Sequence, residues 1–249
     1  MAIILKSDNQ LDIMRQACRI VARTHEILER SIRPGVTTLE LNKIAEDYIR
    51  SCGAVPSFLG YRGYPATINA SVNSEIVHGI PSLRKLKDGD IIGIDIGASY
   101  KGFHGDAART HGVGKISDED KKLLEVTRQS FFEGIEYAKP KNYLNQICVA
   151  IQKYVESEGF TVVREFIGHG IGKDLHEDPN IPNYDMGKRG TKLHKGMTLA
   201  IEPMVNVGTA ECMVLEDGWT AITMDNKNSA HYENTVLITD GEPEVMTLL

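Results

Sequence analysis

Cysteine is scarce and scattered in this chain. Cys18, Cys52, Cys148 and Cys212 stand far apart with no CxxC pair, which excludes a disulfide scaffold and a zinc ribbon and fits a reducing compartment. Long apolar runs are missing as well. No stretch of about 18 apolar residues occurs, so no membrane-spanning helix is expected, and Met1 to Asn9 lacks the basic-then-apolar layout of a signal peptide. Nor is there a basic surplus: 28 Lys plus Arg face 34 Asp plus Glu, a net charge of −6, which argues against nucleic acid as a substrate or partner. No Pro/Gly/Ser-rich linker divides the chain between Gly112 and Ser117. What is abundant is apolar content, 41% of 249 residues, enough for a substantial core. A cytoplasmic protein with no membrane attachment, built as one domain over residues 1–249, is the expectation.

That domain is internally duplicated. RPGVTTLELNKIAEDYIRSCG, starting at Arg33, matches KPKNYLNQICVAIQKYVESEG, starting at Lys139, an offset of 106 residues. Leu41 aligns with Ile147, Ala45 with Ile151, Tyr48 with Tyr154, Ile49 with Val155 and Gly53 with Gly159. The i, i+3, i+4, i+7, i+8 spacing predicts an amphipathic helix in each copy, capped at the first by Thr37 with Glu40 and closed in both by the glycine. A further helix is predicted ahead of each, over about 8–31 and 118–138, the first with the stripe Ile13, Ala17, Ile20, Val21, Thr24 and Leu28. LKDGDIIGID (Leu86 to Asp95) likewise resembles LHKGMTLAIE (Leu193 to Glu202). Two similar α+β halves, about 8–112 and 117–240, with sheet inside and helices outside, follow from this.

Both related strands end in a carboxylate that interrupts apolar alternation. Ile92, Ile94 and Ile96 share one face and Asp95 the other; Met197, Leu199 and Ile201 share one face and Glu202 the other. A lone ionised carboxylate in such a strand would cost several kcal/mol unless a cation or several donors meet it. IDIGASYKGFHGD reads as a hairpin; with Tyr100 and Lys101 as turn residues, Asp95 faces Asp106 directly. Like charges that close require a shared cation or proton. Glu233 in AHYENTVLIT relates to Glu202 as Asp106 does to Asp95, across a register centred on Asp217–Gly218, with DNKN (Asp225 to Asn228) read as a further hairpin between them. His169 in GHGIG adds an imidazole where flanking glycines let backbone approach. Taken singly, Asp106 or Glu233 reads as an ordinary strand-end acid. Asp95 and Glu202, at equivalent places in both repeats, do not. Four carboxylates and one imidazole, without thiolate, are the donor set of two adjacent divalent first-row metals and imply hydrolysis. His25 and His194 read as surface or helix histidines, His111 as flanking a turn, and His104 stays unassigned.

Asp95, Asp106, His169, Glu202 and Glu233, with the words VHGIP (Val77 to Pro81), GFHGD (Gly102 to Asp106), GHGIG and AIEPM (Ala200 to Met204), resemble the short bacterial type I methionine aminopeptidases over essentially the whole chain. The resemblance implies the pita-bread fold, an α+β arrangement of two pseudo-symmetric halves with a central curved antiparallel sheet and outer helices. It implies two divalent metal ions, cobalt, manganese, iron or zinc, and removal of the initiator methionine from nascent chains when the next residue is small, a metal-bridged water attacking the methionyl carbonyl. By position, Asp95 looks like a chelating ligand of one metal, Asp106 and Glu233 like bridging carboxylates, and His169 and Glu202 like ligands of the other, Glu202 doubling as proton shuttle. His176 matches the histidine that steadies the oxyanion and His78 the one that contacts substrate near the scissile amide. Phe58, Tyr61, Tyr64 and Trp219 are candidate walls for the methionine side chain. Asn69, where many members have cysteine, and Leu175, where many have a bulkier residue, touch that pocket. The partner implied is the N-terminal methionine of a nascent polypeptide at the ribosome, and a monomer is expected. A prolidase or aminopeptidase P is the competing reading within the fold, and a non-catalytic binding protein the competing class; loss of a metal ligand would mark the latter, and none is lost here.

Overall fold

The structure, a computed structural model, describes residues 3–249. Its four helices repeat as two pairs: α1 (Asp8–Ser31) with α2 (Thr38–Ser51), and α3 (Asp118–Ile135) with α4 (Leu144–Ser157). Local chemistry sets their ends. The Thr37 hydroxyl accepts from the Glu40 amide at 3.1 Å while the Glu40 carboxylate accepts from the Thr37 amide at 2.7 Å, the reciprocal capping box read from the sequence. Leu41, Ala45 and Ile49 of α2 and Ile147, Ile151 and Val155 of α4 are the buried repeats. Tyr48 and Tyr154 lie half-buried on the rims. In α1 the buried stripe runs through Met14, Ala17, Cys18, Val21, His25 and Leu28, leaving Ile13 and Ile20 as half-buried shoulders. His25 is therefore not a surface residue: its place one turn from Val21 carries it inside, where Nε2 lies 2.8 Å from the Ala107 carbonyl. The third helix ends at Ile135, short of the expected 138, and His111 lies within a strand rather than beside a turn.

Five strands accompany the first helix pair: β1 (Val55–Pro56), β2 (Ile68–Val72), β3 (Glu75–Val77), β4 (Ile91–Tyr100) and β5 (Phe103–Gly112). Ten accompany the second, none longer than five residues: β6 (Thr161–Val162), β7 (Gly168–Gly170), β8 (Glu177–Ile181), β9 (Thr198–Ile201), β10 (Met204–Asn206), β11 (Cys212–Val214), β12 (Ala221–Thr223), β13 (Ser229–His231), β14 (Asn234–Leu237) and β15 (Glu244–Val245). All pairings are antiparallel. One core packs α1 and α2 on Ile92, Ile94 and Ile96 of β4; a second packs α3 and α4 on Leu199, Ile201 and Val236. Helices lie outside and strands inside in both halves, as the duplication predicts.

Two registers decide where the carboxylates fall. In the β4–β5 hairpin Tyr100 pairs with Phe103, so the turn is Lys101–Gly102 and not Tyr100–Lys101. Both turn residues have positive φ, 47° and 80°, the requirement of the tight turn that matches strand twist. Asp95 therefore faces Ala108, and Asp106 faces Gly97. A shift of two keeps every side chain on its face, so the two aspartates remain neighbours, diagonally rather than directly. In the second half, Thr198 pairs with Leu237, Met204 with His231 and Cys212 with Thr223, one constant register centred on Asp217–Gly218. The Asp225 to Asn228 segment is not a separate hairpin. It bulges opposite the equally long Val207 to Ala210 stretch, with the Val207 amide still bonded to the Asn228 carbonyl at 3.0 Å. The tip of this long ribbon crosses to the first half, where β12 pairs with β3.

Candidate metal centre

The halves meet where β5 approaches the start of β14. Ala108 and Glu233 exchange backbone hydrogen bonds at 2.9 and 3.3 Å, and the Thr235 hydroxyl both accepts from the Asp106 amide at 3.0 Å and donates to its carbonyl at 2.9 Å. This seam sets Asp106 beside Glu233. His169 comes from β7, where Gly168 and Gly170 have no room for a side chain: a Cβ would fall 2.3 Å from the Ala200 carbonyl oxygen at Gly168 and 2.2 Å from that of Asp178 at Gly170. The GHG run is thus dictated by close backbone packing on both sides of the imidazole.

Ligand-type atoms of Asp106, His169 and Glu233 all lie within 4.8 Å of one another, and among the described residues this is the one group of three or more such side chains so arranged. Asp95 joins it from the diagonal position on the β4–β5 ladder, close enough for its charge to raise the Asp106 carboxyl. Glu202, just past β9, has Oε1 3.6 Å from His169 Nε2 and Oε2 3.7 Å from His231 Nε2. Asp95 Oδ1, Asp106 Oδ1 and Glu233 Oε1 are buried with no hydrogen-bond partner. Burial pushes Asp95 up to about 7. Burial, then the neighbouring carboxylates, pushes Asp106, Glu202 and Glu233 well above the ordinary carboxylate range. His169 is held down at about 4 by burial, a neutral imidazole. Acids this close and this poorly satisfied need a positive charge among them.

All five residues line one cavity of about 160 Å³, together with Phe58, Tyr61, Tyr64, Asn69, His78, His176 and Trp219. Every site residue singled out in the sequence is thereby brought to one place. Clefts of about 550 and 600 Å³ elsewhere hold no such acid cluster, so size does not mark this site; chemistry does. Asn69 donates to Asp95 Oδ2 at 2.7 Å, so it orients the carboxylate as well as walling the cavity. His176 stacks on Tyr61 and its Nδ1 lies 2.8 Å from the tyrosine hydroxyl; burial, then His169, lowers it to about 3. His78 sits at φ 61°, a left-handed strain of the kind held at functional positions, with Trp219 and Phe166 edge-on to its ring. Trp219 reaches Tyr64 at 5.1 Å because the ribbon tip crosses between the halves. His104 bonds Ser57 through Nδ1 at 2.8 Å. Arg62 on the cavity wall and His231 beside Glu202 were not foreseen. Alternation in HYENT puts His231 on the Glu233 face and could have flagged it; nothing local flags Arg62.

The chain matches metallopeptidase family M24 over residues 12–240. It belongs to that family. Methionine aminopeptidase 1 of Bacillus subtilis is 55% identical over 245 residues, 98% of this chain and 99% of that one. The methionine aminopeptidase of Clostridium perfringens is 53% identical over 247 residues, 99% of each. Among solved structures, methionine aminopeptidase from Thermotoga maritima superposes with a TM-score of 0.98 at 42% identity, covering 100% of both chains. The two-halved pita-bread fold is therefore the fold of this chain, and within the M24 family its place is among the methionine aminopeptidases. Among the described residues no helix is long and apolar enough to cross a membrane.

Proposed function

We propose that this enzyme removes N-terminal methionine from nascent polypeptides when the next residue is small, using two divalent metal ions held by Asp95, Asp106, His169, Glu202 and Glu233. The observation that carries this is the trio of buried, partnerless carboxylate oxygens around a neutral imidazole. Oxygen and nitrogen donors without thiolate fit manganese, iron, cobalt or zinc. Such ions supply Lewis acidity, acidifying a water and polarising the methionyl carbonyl. Asp106 and Glu233 would serve both ions, Asp95, its orientation fixed by Asn69, would serve one of them, and His169 and Glu202 would serve the other.

The chain's own groups do the remaining work. The Tyr61 hydroxyl lies 2.8 Å from His176 Nδ1; in the tautomer where Nδ1 accepts from it, Nε2 carries the proton and stabilises charge developing on the carbonyl oxygen. Glu202, whose buried carboxyl holds a proton more readily than usual, carries the water's proton to the leaving amine. His78 contacts the scissile amide. Phe58, Tyr61, Tyr64 and Trp219 enclose the thioether, with Leu175 on the same wall. The protein acts in the cytoplasm, as a monomer, on chains emerging from the ribosome.

Metal-depleted protein titrated with manganese, cobalt or iron should release methionine from Met-Ala and Met-Gly peptides and leave Met-Pro and Xaa-Pro peptides intact. If Xaa-Pro bonds are cut in preference, the substrate assignment falls to a prolidase. If no peptide is cut with any of the ions, the enzyme reading fails.

A further inference from the structure

We propose that Arg109 is a positioning residue that fixes the separation of the Asp106 and Glu233 carboxylates by clamping the seam between the halves from its reverse face. The inference rests on the metal-centre reading above and adds a residue to it. On β5, Asp106 and Ala108 face the cavity, so alternation turns Ala107 and Arg109 to the helix side, where Arg109 lines the cleft beside Ala22 and His25 of α1. Its guanidinium lies over the Tyr232 ring at 4.4 Å. One nitrogen, Nη1, donates both to the Ala108 carbonyl at 2.7 Å and to that of Glu233. Those are the two carbonyls whose amides already pair across the seam. The other, Nη2, donates to Asn234 Oδ1 at 2.5 Å and reaches the Thr247 carbonyl at 3.5 Å.

The contacts close a circuit. Asn234 Oδ1 also accepts from the Thr247 hydroxyl at 2.9 Å; that hydroxyl accepts from the Thr235 amide at 3.2 Å; and Thr235 bonds Asp106 in both directions. Arg109 thus joins the backbone two residues past Asp106 to the Glu233 carbonyl and the Asn234 side chain, and ties the C-terminal segment to both. A planar, always-charged fork suits four acceptors at once, which a lysine cannot do. Its acceptors are neutral oxygens, so its charge stands unspent behind Glu233 and favours the ionised carboxylates that a cation needs. Groups behind metal ligands typically change affinity by about 10–100-fold when removed.

Calorimetric titration of metal-depleted protein with Mn²⁺ tests this, with thermal melts of the metal-free forms alongside. Arg109→Gln should weaken Mn²⁺ binding by at least about 10-fold. Arg109→Lys, which keeps the charge and one contact, should fall between it and the unaltered protein, and serves alone if the glutamine variant does not fold. Arg15→Gln is the control: it breaks the ion pair that ties α1 to Glu244 of the same C-terminal segment without touching the seam, and should leave the affinity unchanged. Unaltered affinity in both Arg109 variants, or an equal loss in Arg15→Gln, overturns the proposal. Failure of the unaltered protein to bind Mn²⁺ overturns the metal-centre reading itself, and this inference with it.

Discussion

At Asp106 and Glu233 the same physics that makes the residues costly makes them useful: each is nearly fully buried, each has an oxygen without a partner, and each is pushed toward its neutral form. Their replacement should therefore act on metal, and that of His176 on turnover. Asp106→Ala or Glu233→Ala should lower bound metal measured by elemental analysis. His176→Ala should keep the metal and reduce kcat by about 10²–10³, the cost of one lost oxyanion donor. Equal metal loss in all three would refute the division of roles. Tyr61→Phe removes the one group that the structure places on His176 Nδ1. A neutral hydrogen bond is worth about 1 kcal/mol, so kcat should fall roughly five-fold with the metal content unaltered.

At the scale of elements, the sequence showed most where a local rule sufficed. The 106-residue offset located α2 and α4, the stripe of α1 located its buried face, and Thr37 with Glu40 located the start of α2, because caps and stripes depend on near neighbours alone. Asp95 and Glu202 were legible because alternation leaves a carboxylate where an apolar residue belongs. Registers were harder. Choosing Lys101–Gly102 over Tyr100–Lys101 required knowing which residues accept positive φ, and the Asp225 to Asn228 bulge looks like a turn until its partner strand is seen. Arg109 was invisible, since three of its four acceptors come from sequence-distant segments. His169 depends on its neighbours in a way the structure makes testable. Gly170→Ala forces a Cβ onto the Asp178 carbonyl, so β7 must move. The variant should bind Mn²⁺ less tightly by calorimetry while Gly241→Ala, in an exposed turn where the nearest atom to an added Cβ lies 4.0 Å away, should bind as the unaltered protein does.

For the whole molecule, the charge of the buried acids and histidines governs stability against pH. Histidines 25, 78, 169 and 231 are all held below their ordinary 6.5 by burial, so their contribution is complete above that value and is lost as pH falls. The buried carboxyls have the opposite sign. Their folded values exceed their unfolded ones, so their contribution is present below about pH 4 and is lost as pH rises through about 7 for Asp95 and higher for Asp106, Glu202 and Glu233. Between pH 7 and 9 the histidines are constant; the carboxyls change, and toward pH 9 the raised thiols of Cys18, Cys148 and Cys212 add a smaller loss of the same sign. Metal-depleted protein should therefore melt several degrees lower at pH 9 than at pH 7, and saturating Mn²⁺ should remove most of the difference; a flat profile without metal would contradict the assigned burial of these acids.

Asp95 and Asp106 belong to one half, His169, Glu202 and Glu233 to the other, and the seam of Ala108 with Glu233 and of Asp106 with Thr235 holds the two sets in range. Hydrolytic power is consequently a late acquisition: a polypeptide still leaving its own ribosome, with only its leading portion made, owns two of the acids and lacks their partners. Such an unfinished copy is harmless to every bystander peptide until the trailing portion docks.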